Sequence, residues 1–182
     1  MNNIVKETLD ARYTIPAAPL DNVWLNGALR EVLDRLDAMM PRFTDTFPAA
    51  AAVNGIYPAV EKVDWTEGFW VGMLWLAYEA TGDNKYRKVA EGLLPKFRTR
   101  LEQKVKTNTH DLGFLYSLSC VAAWKLTGNA EARSSALWAA DLLYERYNRT
   151  AGIVQAWGAL DDPAKQGRMI IDCNLNLPLL FW

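Results

Sequence analysis

Two segments of this chain are apolar on nearly every side of a predicted helix, and this pattern limits the possible folds more than any other feature. The segments cover residues 66–82 and 110–128, and amphipathic helices are predicted after them, over about 84–104 and 130–147. The second pair repeats the first at an offset of 46 residues, measured from Gly82 to Gly128, each a predicted C-terminal cap. A helix that is apolar all round must be buried. Repeated pairs of buried and solvated helices indicate a helical toroid or a solenoid.

The rest of the chain fits one incomplete domain of this kind. Residues 1–20, with Pro16 and Pro19, predict an irregular arm, since proline biases its predecessor away from helix. Residues 21–182 are predicted to form the partial domain. Its first helix starts at Asp21 or Asn22 and runs to about residue 40, and residues 41–64 form a long connection. No strand alternation is visible, so the predicted class is all-α.

A third apolar segment, residues 169–182, has no solvated helix after it. We therefore expect about half of a closed ring, truncated in its third buried helix. The basic run over residues 96–106, which includes Arg100, is expected on the solvated side of the helix over 84–104, and Pro95 is expected to kink that helix.

Composition excludes several classes of function. The 182 residues carry 20 Lys+Arg and 21 Asp+Glu, a net charge of −1, which argues against a nucleic-acid partner. Hydrophobic residues make up 51% of the chain, enough for a packed core, so disorder is excluded. No apolar run approaches the roughly 18 residues that span a bilayer, and no membrane association is expected. The first residues do not form a signal peptide, which predicts a cytoplasmic protein.

No metal site is expected from the residue types and their spacing. The chain has one histidine and two cysteines, Cys120 and Cys173, which are far apart in the sequence and predicted to be buried free thiols. No cluster of acidic residues has the spacing of a metal site, and no glycine-rich phosphate-binding motif is present.

Three residues share one position in the repeats. The offset of 46 residues places Trp65 on Asp111, and Asp172 lies at the same point of the third unit, where a buried helix begins. Equivalent ends of the inner helices of a toroid converge, so these side chains are expected to line one cleft. The alternative is that each aspartate only caps its helix.

Paired carboxylates in an aromatic pocket indicate sugar chemistry. One carboxyl, kept protonated by burial and by its charged neighbour, can act as an acid, and an aromatic face can stack on a sugar ring. His110, the only histidine, adjoins Asp111 and is either a ligand contact or a hydrogen-bonded structural residue.

Three blocks of sequence carry a family resemblance. Residues 64–70 (DWTEGFW), 108–114 (NTHDLGF) and 170–180 (IIDCNLNLPLL) resemble the unsaturated glucuronyl hydrolases, glycoside hydrolase family 88. The resemblance runs from about residue 20 to the end. It implies an (α/α)6 barrel, present here as its N-terminal portion. It also implies a substrate, an oligosaccharide made by a polysaccharide lyase with a 4,5-unsaturated uronic acid at its non-reducing end, and no cofactor.

The resemblance also implies roles for five residues. Asp172 matches the general acid/base that hydrates the vinyl ether C4=C5 bond, and Asp111 matches the second essential carboxylate. His110 matches a substrate contact, and Trp65 matches the aromatic residue that packs on the unsaturated ring. Trp157 is a further candidate for the same cleft.

The family's chains are longer than this one, so we expect the 182-residue chain to be inactive alone and to form homo-oligomers through exposed inner helices. One alternative is the related unsaturated rhamnogalacturonyl hydrolases on the same barrel, although residues 108–111 favour the glucuronyl type. Another is an inactive fragment that binds sugar or associates with itself.

Overall fold

The computed structural model describes Asp10, residues 21–60 and residues 64–182, and these divide into units of residues 1–35 and 36–182. The predicted arm over residues 1–20, with Pro16 and Pro19, lies outside the described residues except for Asp10. Helix α1 (Asn22–Met39) begins as predicted, where the Asp21 carboxylate accepts a hydrogen bond from Val23 N at 2.8 Å. Within the described stretches, no helix is long and apolar enough to cross a membrane.

The predicted connection after α1 contains short regular elements. A 3₁₀ turn (Met40–Arg42) is followed by strands β1 (Phe47–Pro48) and β2 (Ala59–Val60), which pair antiparallel. The sequence did not predict these strands, because two-residue strands leave no alternation in it, and the all-α class is unaffected.

The first predicted hairpin is confirmed. Helix α2 (Glu67–Thr81) ends at Gly82, whose left-handed φ of 70° suits glycine. Helix α3 (Asn84–Glu102) begins where Asp83 accepts a hydrogen bond from Lys85 N at 2.9 Å, and it continues through Pro95. Trp70 and Trp75 of α2 and Phe97 of α3 are buried.

The second predicted hairpin is also confirmed, with one difference. Its inner rod consists of α4 (Leu112–Tyr116), a π-helical turn (Ser117–Val121) and α5 (Ala122–Thr127), and it ends at Gly128. The π-helical turn was not predicted, because one wider turn barely changes an apolar pattern. The outer helix α6 (Ala130–Tyr144) is capped by Asn129, which accepts a hydrogen bond from Ala132 N at 2.9 Å.

The chain then passes through a second small hairpin to the third apolar segment. Strands β3 (Tyr147–Asn148) and β4 (Ile153–Val154) pair antiparallel, and two short helices follow, α7 (Cys173–Asn176) and α8 (Pro178–Phe181). Both cysteines are buried free thiols, as expected.

One expectation about burial is wrong. Arg100 is predicted to lie on the solvated side of the basic run, but it is buried and 3% exposed, because it pairs with Glu67 of α2. Helix α2 is buried on most of its sides, as its apolar sequence predicts, and Phe69, Met73 and Leu76 are exposed along one stripe.

Glycines bring the first turns of the three apolar segments together. A Cβ on Gly68 of α2 would lie 2.7 Å from the carbonyl oxygen of Phe114 in α4. A Cβ on Gly113 of α4 would overlap the backbone of Asn176 in α7. Helices α2, α4 and α7 therefore begin side by side, and the residues before their first turns share one end of the unit, as predicted.

Candidate active site

His110 lies between the two candidate carboxylates. Its Nε2 atom is 3.4 Å from Asp111 Oδ1 and 3.5 Å from Asp172 Oδ2. The imidazole is buried, whereas the side chains of Asp111 and Asp172 are 23% and 30% exposed. The structure therefore joins two sequence blocks into one cluster of an enclosed imidazole and two accessible carboxyl groups.

Neither aspartate caps its helix. Asp111 and Asp172 occupy the cap positions of α4 and α7, but neither side chain accepts a hydrogen bond from a helix amide. Asp111 Oδ2 accepts instead from the Thr109 hydroxyl at 2.8 Å. The capping alternative is wrong, and both carboxyl groups are turned toward His110.

Polar atoms of the cluster remain unpaired among the described residues. His110 Nδ1 and Asp172 Oδ1 are buried there without a hydrogen-bond partner. An unpaired buried polar group costs about 1–3 kcal/mol, so such groups concentrate where chemistry needs them. Asp111 is oriented by Thr109, whereas Asp172 has an oxygen with no competing bond.

Trp65 forms the aromatic edge of this end of the unit. It is 46% exposed, and its ring lies 6.2 Å, centroid to centroid, from both Phe69 and Phe114. Phe114 belongs to the first turns of α4, just beyond Asp111. Trp65 therefore lies beside the starts of α2 and α4, as the repeat predicts.

A buried ion pair anchors the segment that carries Trp65. Arg100 donates to Asp64 O at 2.8 Å and to Glu67 Oε2 at 3.2 Å, while Glu67 Oε1 accepts from Asp64 N at 2.9 Å. Burial raises the pKa of Glu67, although the hydrogen bond from Asp64 and the charge of Arg100 oppose it. Burial likewise lowers the pKa of Arg100. The sequence did not reveal this pair, since a basic residue on an amphipathic helix is usually solvated.

Trp157 reaches the cluster through the backbone. It forms an antiparallel bridge with Thr109, and His110 N donates to Ala156 O at 2.7 Å. The ring is 41% exposed, and the Arg168 guanidinium lies 5.7 Å from its centroid. Trp157 therefore borders the His110–Asp111 segment, as Trp65 borders the start of α4.

The cluster has the dimensions of a possible cation site. His110, Asp111 and Asp172 each offer one ligand atom, and these atoms lie within 4.8 Å of one another. The expectation that the donors are too scattered for a metal is therefore wrong in its premise, because folding gathers residues from two segments. The absence of a metal stays a prediction, and three side-chain donors are fewer than the roughly six to eight oxygen ligands that a calcium ion takes.

Most of the chain is similar to proteins of one known family. The sequence model of Glycosyl Hydrolase Family 88 matches residues 28–170. An unsaturated glucuronyl hydrolase of Bacillus sp. (strain GL1) is 48% identical over 143 residues, which are 79% of this chain and 38% of that protein. An unsaturated chondroitin disaccharide hydrolase of Streptococcus pneumoniae is 41% identical over 155 residues, 85% of this chain and 39% of that protein.

A solved structure shows the same architecture. The unsaturated glucuronyl hydrolase of Streptococcus agalactiae superposes with a TM-score of 0.86 at 38% identity, over 91% of this chain and 41% of that one. The chain is therefore a portion of an all-α (α/α)6 barrel, and it spans about 40% of the length of these relatives.

Proposed function

Since the chain belongs to Glycosyl Hydrolase Family 88, we propose that it carries the catalytic carboxylates of a hydrolase that removes a 4,5-unsaturated uronic acid from oligosaccharides made by polysaccharide lyases. The names of the relatives, an unsaturated glucuronyl hydrolase and an unsaturated chondroitin disaccharide hydrolase, belong to proteins about twice as long as this chain. The proposal therefore assigns the activity to a protein of that length that contains this chain. The observation that carries it is the placement of the Asp111 and Asp172 carboxyl groups within 3.5 Å of the same His110 nitrogen.

The two aspartates have different roles in the proposed reaction. Asp172, in its protonated form, gives its proton to C4 of the vinyl ether, and the resulting carboxylate takes a proton from the water that attacks C5. One water is thereby added across C4=C5, and the acid form of Asp172 is restored. The hemiketal at C5 then opens and releases the remaining sugar, so the glycosidic oxygen is not displaced directly as in the two-carboxylate schemes.

The surroundings of each carboxyl support this division. The Asp172 side chain is 30% exposed, as a group that exchanges protons with substrate and water requires. Asp111 accepts from Thr109 at 2.8 Å and is the more constrained of the two, which suits a carboxylate that orients the substrate. His110 Nε2 lies within 3.5 Å of one oxygen of each carboxyl group.

The aromatic rings supply the apolar part of a sugar site. Trp65 and Trp157 are large, half-exposed and held beside the cluster by neighbouring contacts. A tryptophan face packs well on the C–H face of a pyranose ring while the ring hydroxyls remain available to polar groups. The proposed partner is therefore an oligosaccharide with an unsaturated uronic acid.

The test is turnover by the full-length protein that contains this chain. An unsaturated chondroitin disaccharide should lose its alkene ultraviolet absorbance, and the reaction in H₂¹⁸O should place one ¹⁸O atom in the released uronic acid. Prior treatment with a chelator should leave the rate unchanged. A preference for an unsaturated rhamnogalacturonan disaccharide would favour the alternative hydrolase, and no turnover of either would contradict the proposal.

We also propose a cytoplasmic location. Cys120 and Cys173 are buried free thiols, and burial raises the pKa of the Cys120 thiol to about 12. Such thiols persist in a reducing compartment. Cell fractionation with an antibody to the protein tests this location.

A further inference from the structure

Arg146 is a buried cation without a carboxylate partner. It lies just after α6 and is 2% exposed, and no ion pair involves it within the described residues. Its guanidinium binds three neutral oxygens: it donates to Gln155 O at 2.8 Å, to Gly158 O at 3.2 Å and to the Asn108 side-chain oxygen. Burying a charge costs several kcal/mol, so this arrangement calls for an explanation.

The three acceptors belong to two segments that meet at the active site. Gln155 and Gly158 flank Trp157, and Asn108 comes just before Thr109 and His110. One planar guanidinium therefore spans the base of the loop that carries Trp157 and the segment that carries His110. The fixed fork of arginine suits this geometry, since its donors point in set directions.

Gln155 adds hydrogen bonds within the loop that carries Trp157. It is fully buried, and its Nε2 atom lies 3.2 Å from Trp157 O, 3.3 Å from Gly158 O and 3.1 Å from Ala159 O. Its backbone N–H donates to Arg146 O at 3.0 Å. Gly158 has a left-handed φ of 85°, which lets the loop turn back toward the guanidinium. The polar groups beneath Trp157 thus converge on Arg146 and Gln155.

We infer that Arg146 is the positioning residue that holds Trp157 against the His110–Asp111 segment, so that the ring forms one wall of the sugar site. This inference rests on the proposed function for its kinetic consequences. Arg146 lies beneath the loop and acts through Trp157, and it is not proposed to touch substrate. Burial lowers the pKa of Arg146, and electrostatic attraction to the Asp111 carboxylate opposes that effect.

A double-mutant cycle in the full-length protein tests the inference. Arg146→Lys keeps the charge but removes the fork, and Trp157→Ala removes the ring. Each should raise KM for the unsaturated disaccharide about tenfold, with kcat changed by less than about twofold. Because both variants remove the same wall, the KM of the double variant should be within about twofold of the higher KM of the two single variants. If the two residues acted independently, the KM of the double variant would rise about a hundredfold, and this result would overturn the inference. An unchanged KM in Arg146→Lys would also overturn it.

A second measurement separates this inference from the proposed function. Amide hydrogen exchange, followed by mass spectrometry in peptides covering residues 153–168, should be faster in Arg146→Lys whether or not any substrate is turned over. Arg149→Lys, at an exposed position three residues later, is the matched control and should change neither KM nor exchange.

Two further outcomes keep the inference testable. If Arg146→Lys does not fold, Asn108→Ala removes only one acceptor of the guanidinium and should give a smaller change in the same direction, while no change would overturn the inference. If the wild-type protein has no hydrolase activity, the proposed function is wrong. If the wild-type protein is active but amide exchange in Arg146→Lys is unchanged, only the role of Arg146 is wrong.

Discussion

Gly113 packs directly on the backbone of Asn176, so α4 and α7 touch at a point where no side chain fits. Asn176 reinforces this contact, because its side-chain oxygen accepts from Phe114 N at 2.9 Å and its amide donates to Asp172 O at 3.2 Å. The contact sets the separation of Asp111, which precedes α4, from Asp172, which precedes α7.

Gly113→Ala should therefore damage both stability and activity. The new methyl group would force α7 away from α4, at a cost of at least about 1–3 kcal/mol in the free energy of unfolding. Gly92→Ala is the matched control, because a Cβ there meets nothing within 4 Å and alanine favours the interior of α3 by about 0.5–1 kcal/mol. In urea unfolding, Gly113→Ala should lower the free energy of unfolding and Gly92→Ala should raise it. If Gly113→Ala destabilised the protein no more than Gly92→Ala, the close packing of Gly113 on Asn176 would be contradicted.

Trp65→Ala should weaken substrate binding more than folding. The ring is 46% exposed, so its removal should cost less than about 2 kcal/mol, below the roughly 3–5 kcal/mol of a core tryptophan. Trp75, which is 1% exposed, provides the comparison, and Trp75→Ala should show the full core penalty. We expect KM to rise about tenfold in Trp65→Ala, or about 1.4 kcal/mol of binding free energy. Equal thermal destabilisation by the two substitutions would place Trp65 in the core instead.

Glu67→Gln should reveal a pH-dependent contribution of the buried pair. Burial raises the pKa of Glu67 above its ordinary value of 4.5, so folding favours the protonated carboxyl. This contribution to the free energy of unfolding is therefore complete below about pH 4.5 and decreases as pH rises through the folded-state pKa. The wild-type advantage over Glu67→Gln should shrink as the pH rises above about 4.5 in urea titrations.

The exposed Glu102 provides the control for that experiment. It pairs with Arg98 at 2.8 Å on the surface, and Glu102→Gln should show a small difference from wild type. A wild-type advantage over Glu67→Gln that grows with pH would show that attraction to Arg100 outweighs the burial of Glu67.

The sequence predicted the helices and the end of the unit at which the site lies, and both have simple physical causes. Apolar periodicity and terminal glycines such as Gly82 and Gly128 determine where helices run and stop. The offset of 46 residues carried Trp65, Asp111 and Asp172 to equivalent positions, because repeated hairpins pack in register.

The remainder depends on contacts that no local pattern encodes. Arg100 and Arg146 are buried because distant carbonyl and carboxylate oxygens surround them, whereas their neighbours in the sequence predict solvated side chains. The gathering of His110, Asp111 and Asp172 likewise depends on the contact between Gly113 and Asn176. Pairings of this kind become visible only once the helices are placed.

The 182-residue chain studied alone should associate with itself and lack hydrolase activity. Large apolar side chains are exposed near its third apolar segment, where Ile171 is 87%, Phe181 86% and Leu175 63% exposed. Patches of this kind mark interaction surfaces or aggregation. Light scattering should give a mass above that of the monomer, and Phe181→Glu should lower it. A monodisperse monomer with full activity would contradict this prediction.

The division of roles between the two aspartates can be tested at Asp172. In the full-length protein, Asp172→Asn should lower the rate at which an unsaturated glucuronyl disaccharide loses its alkene absorbance by about 10²–10⁴-fold, the usual contribution of a general acid/base. The fold should be unchanged, with a melting temperature close to that of wild type. The exposed Asp161 provides the control, and Asp161→Asn should keep the wild-type rate. A near-normal rate in a folded Asp172→Asn protein would contradict the account.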